Sequence, residues 1–243
     1  HAQAVSVRVP QLKDCKHHLR LDKVDRKTGQ PEGADTMIFL TEGLSAGGTL
    51  GNARDALNQA VFFLRGKPLN TFGVGKNVLY ENVEFFNLIK TLDIEDTLDH
   101  LRYGKIIFAT DADVDGLHIR MLLTTFFMRF YRQLVTDGRV FILETPLFRV
   151  RNKKEQHYCF SDEEREAAIR KCGRGCEITR FKGLGELNAK EFKDFIGPDM
   201  RLTPVTCSDD QDVEKTIKFY MGSNTPERKG YIMDSLVCDA AEF

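Results

Sequence analysis

Three aspartates at alternate positions, Asp111, Asp113 and Asp115, stand directly after the apolar run Ile106–Thr110 and before Gly116. Carboxylates this close repel one another unless a cation sits between them. A buried strand running into an acidic loop is where open α/β sheets hold their ligands. Sixty-nine residues upstream a second apolar run, Thr36–Thr41, ends on Glu42 and enters the small-residue turn Gly43-Leu-Ser-Ala-Gly-Gly48. Two strand ends that bring acids to one point make a site for a hard cation of the Mg²⁺ type, and such sites serve phosphate chemistry.

Other readings of these motifs fare worse. Asp-x-Asp-x-Asp-Gly also opens a helix–loop–helix calcium site, but that loop needs a glutamate at its twelfth position, where Leu122 stands, and a helix before it. A phosphatase nucleophile of the Asp-x-Asp kind leaves Glu42 unexplained. Ala46 breaks the dinucleotide-binding glycine fingerprint. Asn70 and Asn77 break the phosphate-binding loop that Gly75-Lys76 suggests, so the chain carries no ATP motif of its own. The glycines of 43–48 instead offer close backbone approach and a helix N-terminus near Ala46, suited to a phosphate or to the surroundings of the metal. Basic residues gather around these motifs in sequence: Arg54, Arg65, Lys67 and Lys76 on one side of the acids, His118 and Arg120 after them, and Arg180 and Lys182 beside Gly183. Singly each is an ordinary solvated charge; around an acidic metal centre they fit a surface that tracks a phosphate backbone.

The elements that must position these residues alternate. From Asp35 to about Val150 the pattern predicts strands at Met37–Thr41, Val61–Leu64, Lys105–Thr110 and Val140–Leu143. Between them lie helices at Ala46–Gln59, Glu81–Leu92 and Leu117–Val135. That order implies an α/β fold, a parallel sheet flanked by helices on both faces. Residues 1–34 form a polar lead-in without a core of its own. After Pro146 short strands (Phe148–Asn152, Tyr158–Phe160, Glu177–Phe181) mix with helices at Asp162–Lys171, Ala189–Ile196 and Val213–Tyr220. The first of these helices is capped by Ser161 with Glu164 three residues on. We therefore expect a lead-in over 1–34, an α/β domain over 35–150 and a smaller α+β or helical tail region over 151–243.

With 29% charged and 42% hydrophobic residues and a formal net charge of -1, the 243-residue chain reads as globular, and any basic surface must be local. Leu117–Val135 is long and apolar, but His118, Arg120, Arg129 and Arg132 interrupt it, so it reads as a helix buried against a sheet and no membrane is expected. The six cysteines predict free thiols in a reducing cytoplasm; Cys172-Gly-Arg-Gly-Cys176 lacks a second pair at zinc-finger spacing and reads as a turn with incidental thiols. A start on His1 rather than Met, without a signal-peptide pattern, leads us to expect a piece of a longer cytoplasmic protein.

Four segments in order carry a resemblance to a known family: Glu42-Gly-Leu-Ser-Ala-Gly-Gly48, Leu64-Arg-Gly-Lys-Pro-Leu-Asn70, Asp111-Ala-Asp-Val-Asp-Gly-Leu-His-Ile-Arg120 and Arg180-Phe-Lys-Gly-Leu-Gly-Glu186. They resemble the signatures of type IIA DNA topoisomerase B subunits, which carry the Toprim domain. The resemblance continues into Met221-Gly-Ser-Asn-Thr-Pro-Glu-Arg228. Lys105 after Arg102-Tyr103-Gly104, and Leu117 after the acids, look closer to topoisomerase IV than to gyrase.

The resemblance implies that Glu42, Asp111 and Asp113 are catalytic and hold Mg²⁺, at two sites, with Asp115 as a further metal-site acid. Arg65, Lys67, His118, Arg120 and Lys182 would contact DNA. The nucleophile would be a tyrosine of a partner A subunit in an A2B2 heterotetramer, so none of the six tyrosines here would react. ATP would act through an N-terminal domain outside these residues. The family usually has Asp where Leu44 stands and often Lys where Arg65 stands, in a region tied to quinolone response; chemistry is expected to survive and drug response to change. The long insertion of some gyrase B subunits is missing between Tyr158 and Lys182.

Overall fold

The runs Met37–Thr41, Gln59–Leu64 and Ile106–Ala109 are buried at every residue, a pattern that strands acquire only when both faces of their sheet are covered. In the computed structural model, which describes residues 9–207 and 210–235 (backbone alone at 44–46, 210, 211 and 235), they form the centre of a six-stranded sheet.

The elements run in the order β1 (Leu12–Lys13), β2 (Arg20–Val24), β3 (Pro31–Glu32), β4 (Met37–Glu42), α1 (Leu44–Ala53), β5 (Gln59–Leu64), α2 (Lys76–Glu81), α3 (Val83–Leu92), β6 (Lys105–Ala109), α4 (Val114–Phe130), α5 (Arg132–Thr136) and β7 (Val140–Leu143). There follow β8 (Phe148–Arg151), β9 (Gln156–Cys159), α6 (Asp162–Cys172), β10 (Glu177–Arg180), α7 (Ala189–Phe195), β11 (Leu202–Pro204), α8 (Asp210–Met221) and α9 (Thr225–Ser235).

The main sheet has the order β1-β5-β4-β6-β7-β11. Its four inner strands are parallel, and β1 and β11 close the edges antiparallel. The α/β expectation therefore holds. From β4 the chain moves to β5 on one side, then crosses to β6 on the other. The carboxyl ends of β4 and β6 thus flank the point where strand order reverses, the place where such sheets bind ligands.

Side chains alternate across this sheet. Ile38, Leu40, Phe62, Leu64, Ile106 and Phe108 join a core with Phe85, Leu88, Phe126 and Phe127 of α3 and α4. Phe39, Val61, Phe63, Ile107 and Ala109 join a second core with Leu50 of α1 and with Phe181, Leu184, Phe192 and Phe195. Each buried Phe or Leu contributes roughly 1.5–3 kcal/mol. A smaller sheet, β10-β8-β9, packs against α6 around Phe148, Val150, Cys159, Ala168 and Cys172.

Several predicted elements shift for identifiable reasons. The helix expected over Ala46–Gln59 ends at Ala53, where Arg54 turns extended; Gln59 begins β5, and its buried amide donates to the carbonyl of Ile196 at 2.7 Å. The helix expected over Glu81–Leu92 is α3, which starts at Val83 because the Asn82 side chain accepts from the Phe85 N–H at 3.1 Å; Glu81 instead closes the separate α2. The helix expected from Leu117 starts one turn earlier, at Val114, and breaks at Tyr131. The Ser161 cap is present, its hydroxyl accepting from the Glu164 N–H at 3.2 Å. The short strands β1, β2, β3 and β11 carry too little periodicity to be read from sequence.

Five cysteines among the described residues are free, as expected, and Cys238 lies outside those residues. No described helix is long and apolar enough to cross a membrane.

The lead-in is tied to the sheet through a charged cluster. Val9, Cys15 and Leu19 enter the first core. Asp14 accepts from the fully buried Tyr103 hydroxyl at 2.6 Å, pairs with Arg102 and meets His18 at 3.0 Å. Burial alone would raise the Asp14 carboxyl; the bonds from His18, Tyr103 and Arg102 outweigh it and hold the group well below the ordinary carboxylate range. Its folded value lies below its unfolded one, so its contribution is present above about pH 4 and lost as pH falls further. Asp14→Asn is expected to cost about 2 kcal/mol at neutral pH. Urea unfolding should show that difference shrinking as the pH is lowered below about 4.

Candidate metal and nucleic-acid site

Parallel pairing of β4 with β6 sets Thr41 against Ala109, so Glu42 and the loop after β6 leave the sheet side by side. Glu42 is the last residue of β4 and partly buried. Asp113 sits at the N-cap of α4, where its side chain accepts from the Gly116 N–H at 2.8 Å. An aspartate there also suits the positive end of the helix. This cap explains the early start of α4, and it leaves Val114, Asp115, Leu117 and His118 exposed on the first turn.

Asp111 is held from a distant part of the chain. Its Oδ1 accepts from the Leu184 N–H at 2.7 Å. A Cβ on Gly183 would lie 2.7 Å from its Oδ2, so the Lys182-Gly-Leu-Gly-Glu186 loop approaches the carboxylate as only glycine allows. Gly116 is confined in the same way, since a Cβ there would stand 2.0 Å from the Asp111 carbonyl oxygen. Sequence reasoning placed these motifs near each other in function but missed this contact, because no pattern in sequence signals a bond across 73 residues.

The expected DNA-contacting residues divide. Arg65, Lys67, His118 and Lys182 are exposed. Lys67 pairs with Asp115 at 2.6 Å, joining the Arg65-Gly-Lys67 turn to the acidic loop; Gly66 within that turn has φ 97°. Arg120 is half-buried and committed to the end of β6: its Nε donates to Thr110 Oγ1 at 2.7 Å, and Nη2 to the carbonyls of Thr110 and Asp111 at 3.3 and 3.1 Å. That arginine orients the strand end that carries the acids. The glycine turn after Glu42 also divides. Gly43 has φ 70°, with open space about it, whereas a Cβ at Gly47 would meet the Phe63 ring at 2.1 Å, so Gly47 serves the packing of α1 on β5. The side chain of Leu44 lies outside the described residues, and the helix backbone begins there rather than at Ala46.

The electrostatics fit a cation. Desolvation, followed by the fields of Asp111, Asp113 and Asp115, raises the Glu42 carboxyl above its ordinary value, against the opposing pull of Lys67. Lys67 in turn lowers Asp115 through their hydrogen bond. Oxygen donors on converging elements with uncompensated like charge match a hard divalent ion. Among the described residues, the groups of three donors drawn within 4.8 Å of one another lie elsewhere, so Glu42, Asp111 and Asp113 face one region without being in mutual contact.

Residues 37–145 match the family model described as the Toprim domain, and residues 173–233 match that of the DNA gyrase B subunit carboxyl terminus. Among curated proteins, the chain is 48% identical over 237 residues to the DNA topoisomerase 4 B subunit of Borreliella burgdorferi, covering 97% of this chain and 38% of that protein. The chain therefore carries a Toprim domain followed by a segment of the gyrase B carboxyl-terminal family. It is also 39% identical over 204 residues to the DNA gyrase B subunit of Thermotoga maritima, covering 81% of this chain and 32% of that one. The fold is also that of the DNA-binding, cleavage and re-ligation domain of Plasmodium falciparum topoisomerase II, with a TM-score of 0.75 at 23% identity over 94% of this chain and 32% of that chain. The chain thus spans about a third of the length of the curated relatives it matches.

Two expectations follow. The raised Glu42 carboxyl binds protons more readily folded than unfolded, so its ionisation reduces stability as pH rises through the carboxylate range. Glu42→Gln should therefore raise the melting temperature of the metal-free chain by about 1–3 °C near neutral pH and leave it unchanged near pH 4. Gly183→Ala should push the Asp111 carboxylate off the Leu184 N–H. The expected result, read from Mg²⁺-dependent thermal shifts, is about tenfold weaker Mg²⁺ binding with the melting temperature of the metal-free chain nearly unchanged.

Proposed function

We propose that this chain supplies the metal-binding and DNA-contacting part of a type II topoisomerase B subunit, of the topoisomerase IV kind. The observation that carries the proposal is Asp111 at the switch point, clamped by the Gly183-Leu184 backbone and set beside Glu42 on the adjacent strand. Glu42, Asp111 and Asp113 would hold Mg²⁺ and act as the catalytic acids, with Asp115 as an outer acid pairing with Lys67. When bound, Mg²⁺ supplies charge stabilisation at the scissile phosphate and the departing 3′ oxygen.

The chain's own groups do the positioning. Arg120 fixes the end of β6 through Thr110 and Asp111, and so fixes the direction in which the acids leave the sheet. Lys67 keeps a positive charge at the rim, Arg65 and Lys182 extend it over the surface where a phosphate backbone would run, and the exposed His118 ring adds a polar contact there. Glu42, partly buried among like charges, is the group in this cluster suited to hold a proton during religation.

The attacking tyrosine would come from a partner A subunit in an A2B2 assembly, and ATP would act through a separate N-terminal domain, in the bacterial cytoplasm. The near-complete overlap of this chain with the Borreliella topoisomerase 4 protein favours decatenation and relaxation over the negative supercoiling of a gyrase.

The test joins the chain to its ATPase domain and A subunit and measures Mg²⁺-dependent relaxation and cleavage of plasmid DNA. Asp111→Ala should lower activity at least 100-fold while the complex still assembles. Retained activity would place the catalytic metal elsewhere. Nicking of plasmid by the chain alone would replace this proposal with a partner-independent Toprim nuclease.

A further inference from the structure

Away from the switch point, the described residues include two groups of three whose donor atoms lie within 4.8 Å of one another: Asp14, Cys15 and His18, and Glu155, His157 and Cys172. The first already contains a cation. Arg102 pairs with Asp14 and reaches the His18 ring at 2.7 Å, while the Cys15 thiol donates to the His17 carbonyl. Its charges and donors are spent.

The second group is built differently. Glu155 lies just before β9 and His157 on it, 3.0 Å apart, and no lysine or arginine among the described residues pairs with either. Cys172 is buried at the end of α6. Four residues on, Cys176 packs against the same small core. Between the two cysteines Gly173 and Gly175 take φ 75° and 82°, conformations that turn the chain back within a few residues.

Asn152 locks the two sides together. Its side-chain amide donates to the Cys172 carbonyl at 2.9 Å, and its Oδ1 accepts from the N–H groups of Lys154 and Glu155 at 2.7 and 2.9 Å. The turn that carries Glu155 and the helix end that carries Cys172 are therefore fixed to each other before any ligand arrives.

We propose that Glu155, His157, Cys172 and Cys176 bind a thiolate-seeking divalent cation of the zinc type. Two sulfurs, one imidazole and one carboxylate match the preferences of such an ion and suit a closed four-coordinate structural site; the hard ion of the switch point prefers oxygens alone. The surrounding module gives the ion a purpose. Three short strands and one helix enclose only five buried side chains, Phe148, Val150, Cys159, Ala168 and Cys172, and small cores of this kind gain from a structural metal. The spacing of Cys172 and Cys176 alone did not signal this, because the other two donors come from a hairpin that folding brings alongside. Burial, with Glu155 and Cys176 beside it, raises the Cys172 thiol, so ligation releases thiol protons to solvent and weakens on acidification.

The experiment is a Co²⁺ titration of the reduced chain at about pH 7.5 in excess Mg²⁺, which occupies the oxygen site, followed by Zn²⁺ competition. One equivalent of Co²⁺ should give sulfur-to-metal charge-transfer absorption, displaced by Zn²⁺. Cys172→Ser and the more exposed His157→Asn should each weaken binding at least tenfold, while Cys207→Ser, remote from the site, should not change it. Absence of the charge-transfer band, or a band unaffected by both site variants, would overturn the proposal.

Discussion

Carboxylates gathered at the ends of two adjacent parallel strands repel one another, and much of the surrounding structure opposes that repulsion. Glu42 is bound to β4 and the aspartates to the loop and first helical turn after β6; neither can retreat without disrupting strands buried on both faces. The sheet's core energy therefore fixes the position of the charges. Local bonds then distribute them: Asp111 takes a backbone N–H from Leu184, Asp113 one from Gly116, and Asp115 the ammonium of Lys67. Glu42 is left with the least compensation, and desolvation followed by the fields of the three aspartates raises its carboxyl.

The same constraint explains where glycine is required. Gly116 and Gly183 pass so close to Asp111 that a methyl group would displace the carbonyl or the carboxylate. Arg120 completes the arrangement from inside the helix by capping the carbonyls at the end of β6. Its burial lowers its own pKa, against the opposing fields of Asp111 and Asp113, so the acids help keep it charged. The acids and the arginine thus support each other electrostatically, although the arginine faces the strand end more than the solvent.

The parallel sheet, the two strand ends and the acidic loop were legible in the sequence because each rests on a local signal, a continuous apolar run followed by acids or glycines. Helix boundaries were less legible. Asn82 and Asp113 start helices by capping, and the early end of α1 depends on Gln59 finding a partner in Ile196, far along the chain. The role of Arg120 was legible only as a charge near the acids. Its commitment to Thr110 and Asp111 depends on how α4 folds back over β6. The bond from Leu184 to Asp111 had no local sign, and neither did the Asp14 cluster that ties the lead-in to Arg102 and Tyr103.

The tail segment reaches the acids by an excursion. The chain leaves the main sheet at β7, forms the small sheet with α6, and rejoins the main sheet at β11 beside β7. The last strand of the excursion, β10, ends at Arg180, and within four residues the backbone has buried Phe181 and bonded Leu184 to Asp111. The register of β10 against β8, Arg180 opposite Phe148, therefore sets the height at which Gly183 meets the carboxylate. Stiffness in the small module is transmitted to the acids over a few residues of covalent chain. A fold that needs Asp111 held to within a hydrogen bond thus has reason to reinforce a module whose own apolar core is slight.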